Sequence, residues 1–125
     1  DWGHAKDYVE AMWLILQQNE PDDYVIATGE TCTIREFVEL AFLEVDITIT
    51  WQGKGENEIG INHKTGETLV KVDKKYFRPS EVECLQGNPS KARKKLGWKS
   101  KITLKEMISE MVKYDLKYDN FGGLV

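Results

Sequence analysis

A chain of 125 residues, 41% of them hydrophobic and 30% charged, has the composition of one modest globular domain. Its net charge of −4 argues against a nucleic-acid binder, which carries a basic face. No apolar run approaches the ~20 residues of a membrane helix, and Asp1-Trp2-Gly3-His4 has neither the basic region nor the apolar core of a signal peptide.

The chain lacks an initiator methionine and reads as the inside of a longer protein. Cys32 and Cys84 are its two cysteines. Without CxxC spacing they form neither a zinc site nor a disulfide framework, and they read as reduced thiols in a cytoplasmic protein. His4 and His63 are isolated from each other, so no metal site is expected.

In chain order, Asp7 to Gln18 is the first helix. Val9, Met12, Trp13 and Leu16 recur at three- and four-residue steps and make one apolar face. Asp7 suits the cap, with Glu10 three residues on, and the helix ends before Pro21. Asp23 to Thr28 has the continuous apolar centre of a buried parallel strand. The Gly29-Glu30-Thr31-Cys32 turn that follows would lie at the carboxyl edge of a sheet, where open α/β sheets bind ligands.

Thr33-Ile34-Arg35-Glu36 is a capping box, and Phe37, Val38, Leu40, Ala41 and Phe42 continue its helix. Ile47 to Trp51 alternates as a half-buried strand does. Gly53 to Glu58 is polar and reads as a surface loop. Its GxG is a weak phosphate signal, since no helix follows. Ile59–Asn62 and Thr68–Val72 flank a turn near Thr65-Gly66 and predict a hairpin.

Tyr76-Phe77-Arg78-Pro79-Ser80-Glu81-Val82 comes next. Pro79 locks its own φ and drives Arg78 into an extended conformation. Arg78 and Glu81 then stand three residues apart on a constrained turn. An arginine fork suits a phosphate, and a carboxylate accepts hydrogen bonds from paired sugar hydroxyls. The competing reading is a surface ion pair of Arg78 with Glu81 or Glu83.

Asn88-Pro89 opens a short helix that turns Ala92 and Leu96 inward and stops at Gly97. Lys91, Arg93, Lys94 and Lys95 read as its solvated face. Thr103-Leu104-Lys105-Glu106 is a second capping box, with Ile102 and Met107 placed as a hydrophobic staple. Met107, Ile108, Met111 and Val112 would form the buried stripe of that last helix, extended by Leu116. The fold class is α/β, with helices, a few short strands and a hairpin.

Three blocks carry a family resemblance. They are Asp1 to Met12; Tyr24 to Thr31 running into Arg35-Glu36-Phe37; and Tyr76 to Val82 with Gly87-Asn88-Pro89-Ser90-Lys91-Ala92 and Leu96-Gly97-Trp98. Together they resemble the C-terminal, substrate-binding part of extended Rossmann-type short-chain dehydrogenase/reductases that act on nucleotide-sugars. Among these the chain is most similar to the GDP-mannose 4,6-dehydratases. The resemblance implies one substrate-binding domain or fragment over residues 1–125, with the NADP-binding Rossmann half absent.

The family it resembles makes GDP-4-keto-6-deoxymannose, a precursor of GDP-fucose and other deoxysugars. There NADP takes hydride from sugar C4, water is lost across C5–C6, and hydride returns at C6. The glycine-rich turn, the Tyr-x-x-x-Lys pair and the active-site Thr and Glu of that family lie upstream of the matching region. Tyr114-Asp115-Leu116-Lys117 is one residue short of the pair. By resemblance, Arg78 contacts the diphosphate and Glu81 the ribose hydroxyls of a GDP-sugar. An arginine that usually precedes the first block would fall just before Asp1, and Cys32 stands where many relatives have histidine.

The resemblance therefore implies an NADP-dependent hydro-lyase as the parent protein, with this chain inactive alone and the assembly homo-oligomeric. The other readings are a stand-alone, self-associating binding module and a fragment of a related nucleotide-sugar epimerase, dehydratase or reductase. No nucleic-acid or membrane partner is expected.

Overall fold

The computed structural model describes residues 1–78, 80–82 and 84–118. These separate into two units, Asp1–Thr33 with Cys84 onward, and Ile34–Glu83. The chain is mixed α/β, with four α-helices and one three-stranded antiparallel sheet among the described residues.

The first unit holds helices α1 (Ala5–Leu16), α3 (Ser90–Leu96) and α4 (Leu104–Tyr118). Its core is Trp98 against Ala11 and Ala92, with Tyr8, Leu14, Tyr24, Ile26 and Leu96 packed around them. Two alanines on facing helices let the indole sit between backbones. A larger side chain at either position would push it out of a close-packed interior. The Trp98 Nε1–H donates to the Asp7 carbonyl at 2.8 Å, which satisfies the one polar atom of this buried ring.

Asp7 departs from its expected role. His4 caps α1, its Nδ1 accepting the Lys6 amide at 3.1 Å. The Asp7 side chain is only 3% exposed. Its carboxylate accepts the amides of Lys101 at 2.9 Å and Ile102 at 3.0 Å. A carboxylate leaves water at large cost unless hydrogen bonds replace the lost hydration, and two backbone donors do so here.

The apolar row on α1 is a second departure. Val9, Met12, Trp13 and Leu16 are each at least 60% exposed. The helix instead buries the side carrying Asp7 and Ala11, because that side is small enough to approach Trp98. The Tyr24–Thr28 segment is a third. It contains no strand among the described residues, although Ala27 is buried and Tyr24 and Ile26 pack on the core. Its composition is that of a strand, but the three strands present pair with one another and leave it no ladder partner.

Helix α3 keeps its predicted punctuation. The Asn88 Oδ1 accepts the Ser90 amide at 3.1 Å, and Gly97 ends the helix at φ 66°, a conformation glycine adopts without penalty. Lys91 and Lys95 both reach Asp22, at 2.6 and 2.8 Å. These two ammonium groups hold the Asp22 carboxyl well below the usual carboxylate range.

At the start of α4 the capping box forms as expected. Glu106 Oε2 accepts the Thr103 amide at 2.8 Å and its hydroxyl at 2.7 Å. The Glu106 amide donates back to Thr103 Oγ1 at 3.3 Å. Burial on α4 is limited to its first turns. Met107 and Ile108 are buried, whereas Met111 and Leu116 are exposed.

The second unit carries α2 (Ile34–Leu43), β1 (Ile49–Gln52), a 3-10 turn (Gly55–Asn57), β2 (Ile59–Asn62) and β3 (Thr68–Lys71). The predicted hairpin is β2–β3, and β1 extends it on the other side, so the order is β1-β2-β3. Trp51 lies opposite Gly60, which lies opposite Val70. A Cβ on Gly60 would stand 3.0–3.1 Å from Ile49, Trp51 and Val70, so glycine leaves the room these three side chains fill. Trp51 Nε1 donates to Glu39 of α2 at 2.6 Å, which ties the helix to the sheet.

Two outcomes follow. Replacing Asp7 by alanine leaves two amides without their acceptor, and urea denaturation should show a loss of about 2–4 kcal/mol. The Glu106 carboxyl is held below its ordinary value of 4.5, first by the Thr103 amide and then by its hydroxyl. Its contribution is therefore present above that value and is lost as pH falls through the lowered folded value. Measured from pH 7 downward, the stability gap between the native chain and Glu106→Gln should close in the acid range rather than widen.

Candidate functional site

The strand ladder ends at Lys71, and the backbone beyond it is held turn by turn. Val72 N donates to the Glu58 carbonyl at 3.4 Å. The amides of Tyr76 and Phe77 return to the Asp73 carbonyl at 3.0 and 3.1 Å. Asp73 Oδ1 accepts the Lys75 amide at 2.9 Å. This turn delivers Arg78.

Arg78 and Glu81 are brought together, with Arg78 Nε 3.8 Å from Glu81 Oε1. The two side chains are 77% and 63% exposed. An exposed pair at this separation contributes ~0–1 kcal/mol. Solvent reaches both groups, so an anion of higher charge density competes easily for the guanidinium. Pro79 and Glu83, to which the sequence assigns a backbone lock and an alternative ion-pair partner, lie outside the described residues.

The other predicted ligand edge, the turn after Thr28, belongs to the first unit. It is organised by Asp1, which sequence reasoning assigns no role. The Asp1 carboxylate accepts the Thr28 hydroxyl at 2.6 Å and the amides of Thr28, Gly29 and Gly87 at 2.9, 3.0 and 3.1 Å. One side chain therefore joins the turn to the segment before α3. Gly29 sits at φ 84°, in the left-handed region that favours glycine. Gly87 permits close approach, since a Cβ there would lie 2.2 Å from the Ala27 Cβ. The local signal for Asp1 is weak, because its partners are remote in sequence.

Among the hollows around this turn are the following two. One of about 180 Å³ is lined by Trp2, Glu30, Cys32, Lys101 and Thr103 among others. One of about 480 Å³ runs along Gly29, Glu30, Gln86, Asn88 and Arg93. Their cations are already engaged. Lys101 Nζ bonds the Glu10 carboxylate at 2.6 and 2.7 Å, and Arg93 Nη2 donates to the Thr28 carbonyl at 2.8 Å. The Cys32 carbonyl accepts Trp2 Nε1 at 3.2 Å, and its thiol lies 3.3 Å from the Thr33 carbonyl. Among the described residues no group of His, Cys, Asp and Glu is placed to hold a metal ion. No helix there is long and apolar enough to cross a membrane.

A family model described as GDP-mannose 4,6 dehydratase matches residues 1–111. The chain is 58% identical to a GDP-mannose 4,6 dehydratase of Dictyostelium discoideum, across 98% of this chain and 34% of the relative. It is 56% identical to one of Homo sapiens, across 94% of this chain and 32% of that protein. A GDP-mannose 4,6-dehydratase of Vibrio cholerae is 49% identical, across 94% of this chain and 34% of its own length. The chain thus spans about a third of the length of the curated relatives it matches.

Gly87→Ala tests the close approach at this turn. Overpacking against Ala27 should cost about 1–3 kcal/mol in chemical denaturation.

Proposed function

The chain belongs to the GDP-mannose 4,6-dehydratase family, and on that premise we propose that it is the C-terminal, nucleotide-holding part of a longer enzyme converting GDP-mannose to GDP-4-keto-6-deoxymannose. The observation that carries this reading is the exposed, weakly held Arg78–Glu81 pair on a braced turn. Arg78 presents a planar fork of donors to the diphosphate. Glu81 accepts from the ribose hydroxyls. Each trades its present partner for a ligand group, so little is lost on binding.

In this role the chain binds and orients. Holding the nucleotide fixes the remote end of the substrate and restricts where the mannose ring lies, which is how binding energy away from the reacting bonds aids chemistry. The redox part of the reaction belongs to NADP, whose pyrophosphate needs a glycine-rich strand-to-helix turn. The described residues do not fit that group. The Gly53-Lys54-Gly55 turn leads into a 3-10 turn and then a strand, with no helix N-terminus to face a phosphate. A Rossmann-type half outside these residues supplies that site, and the chain alone is catalytically silent.

A second reading rests on the exposed row of Val9, Met12, Trp13 and Leu16. Four large apolar side chains on one helix face favour burial against another surface. In isolation the chain would then self-associate. Light scattering across a dilution series should show dimers or larger species, and monomers at every concentration would exclude it.

For the leading reading, Arg78→Ala in the full-length enzyme should weaken GDP binding by about 1.5–3 kcal/mol, the scale of a hydrogen bond to a charged group. Titration calorimetry giving an unchanged Kd would remove Arg78 from the site. The 125-residue chain alone should give no turnover of GDP-mannose.

A further inference from the structure

The Gly53–Glu58 loop has the composition of a plain surface connection, yet side chains of α2 and β1 brace it. Arg35, in the first turn of α2, forms an ion pair with Glu58. Its guanidinium carbon also lies 5.4 Å from the centre of the Trp51 ring, at cation–π distance. The same indole donates its one polar hydrogen, on Nε1, to Glu39. The loop itself is tightly wound. Asn57 N returns to the Lys54 carbonyl and Glu58 N to the Gly55 carbonyl, at 3.3 and 3.2 Å. Gly53 leaves no room for a side chain, since a Cβ would lie 2.4 Å from the Asn57 carbonyl oxygen.

This loop meets the chain leading to Arg78 at a braced residue. The Glu58 carbonyl accepts Val72 N, which sets where the chain leaves β3. The tip of the Phe77 ring lies near Gly55, 3.9 Å from where a Cβ would be. Phe77 directly precedes Arg78. A shift of the loop is therefore passed through Val72 to the start of the Asp73–Phe77 turn, whose far end carries Arg78.

We infer that Arg35, Glu58 and Trp51 are positioning residues for the nucleotide handle: they clamp the Gly53–Glu58 loop, and the loop sets the place of Arg78. They touch no ligand in this scheme. The inference rests on the proposed role of Arg78 in binding the diphosphate.

The test is a double-mutant cycle in the full-length protein, read by GDP titration calorimetry on the wild type, Glu58→Ala, Arg78→Ala and the double variant. Glu58→Ala should raise the Kd for GDP about 5-fold or more, and the double variant should bind no worse than Arg78→Ala within about 2-fold, since coupled sites are not additive. Arg35→Lys keeps the positive charge but loses the planar stack on Trp51. It should raise Kd in the same direction by less, at an unchanged thermal midpoint, so the test survives if Glu58→Ala folds poorly. Wild-type affinity in both Glu58→Ala and Arg35→Lys beside a weakened Arg78→Ala overturns the positioning role and leaves the proposed function standing. Fully multiplicative losses in the double variant also overturn it. An unchanged Kd in Arg78→Ala overturns the proposed function, and the positioning role with it.

Discussion

The Asp7 carboxylate is the interaction on which the first unit depends. One buried side chain near the start of α1 accepts two amides from residues 101 and 102. Its own carbonyl receives the Trp98 indole. The three bonds fasten the linker between α3 and α4 along its length. They fix where Trp98 enters the core and where the Thr103 capping box begins α4. Hydrophobic burial supplies the larger share of the free energy here as in other domains. Burial alone is non-directional, however, and the hydrogen bonds select one register of the linker. The lining of the smaller hollow, from Ser100 to Leu104, inherits its position from them.

The second unit solves a similar problem with exposed groups. A three-stranded sheet has few residues with which to position a loop. Gly60 leaves the room that the Trp51 ring fills, and the Arg35 guanidinium lies over that ring. The arginine then reaches Glu58. An aromatic beside a glycine, an arginine over the aromatic and a carboxylate paired with the arginine link α2, β1 and the loop. The Asp73 turn, built on the same strand pair, ends at a guanidinium left in water. A solvated, weakly paired arginine at the end of a hydrogen-bonded turn fits the anion-binding role proposed for Arg78. The group is already placed, and its release from Glu81 costs little.

Features with local causes were legible in the sequence. The β2–β3 hairpin follows from alternation around Gly66, α3 from Asn88 and Gly97, and the start of α4 from Thr103 and Glu106. Features with remote partners were not. Asp7 has the local signature of a helix cap, and its true partners lie 94 and 95 residues away. Tyr24–Thr28 has the residues of a strand and no neighbour to pair with among those described. The apolar row on α1 has the right period for a core face, but the small Ala11 side packs closer to Trp98. The proximity of Arg78 and Glu81 follows from their three-residue spacing. The pairing of Arg35 with Glu58 does not, because an ion pair across 23 residues leaves no mark in the local pattern.

The proposed role of Arg78 fixes where a nucleotide diphosphate sits. A crystal structure of the full-length protein with GDP bound measures this directly. The Arg78 guanidinium should lie within hydrogen-bond distance of the diphosphate oxygens and the Glu81 carboxylate on the ribose hydroxyls, with the 3.8 Å contact between the two residues opened. A diphosphate bound away from Arg78, with the Arg78–Glu81 pair intact, would contradict it.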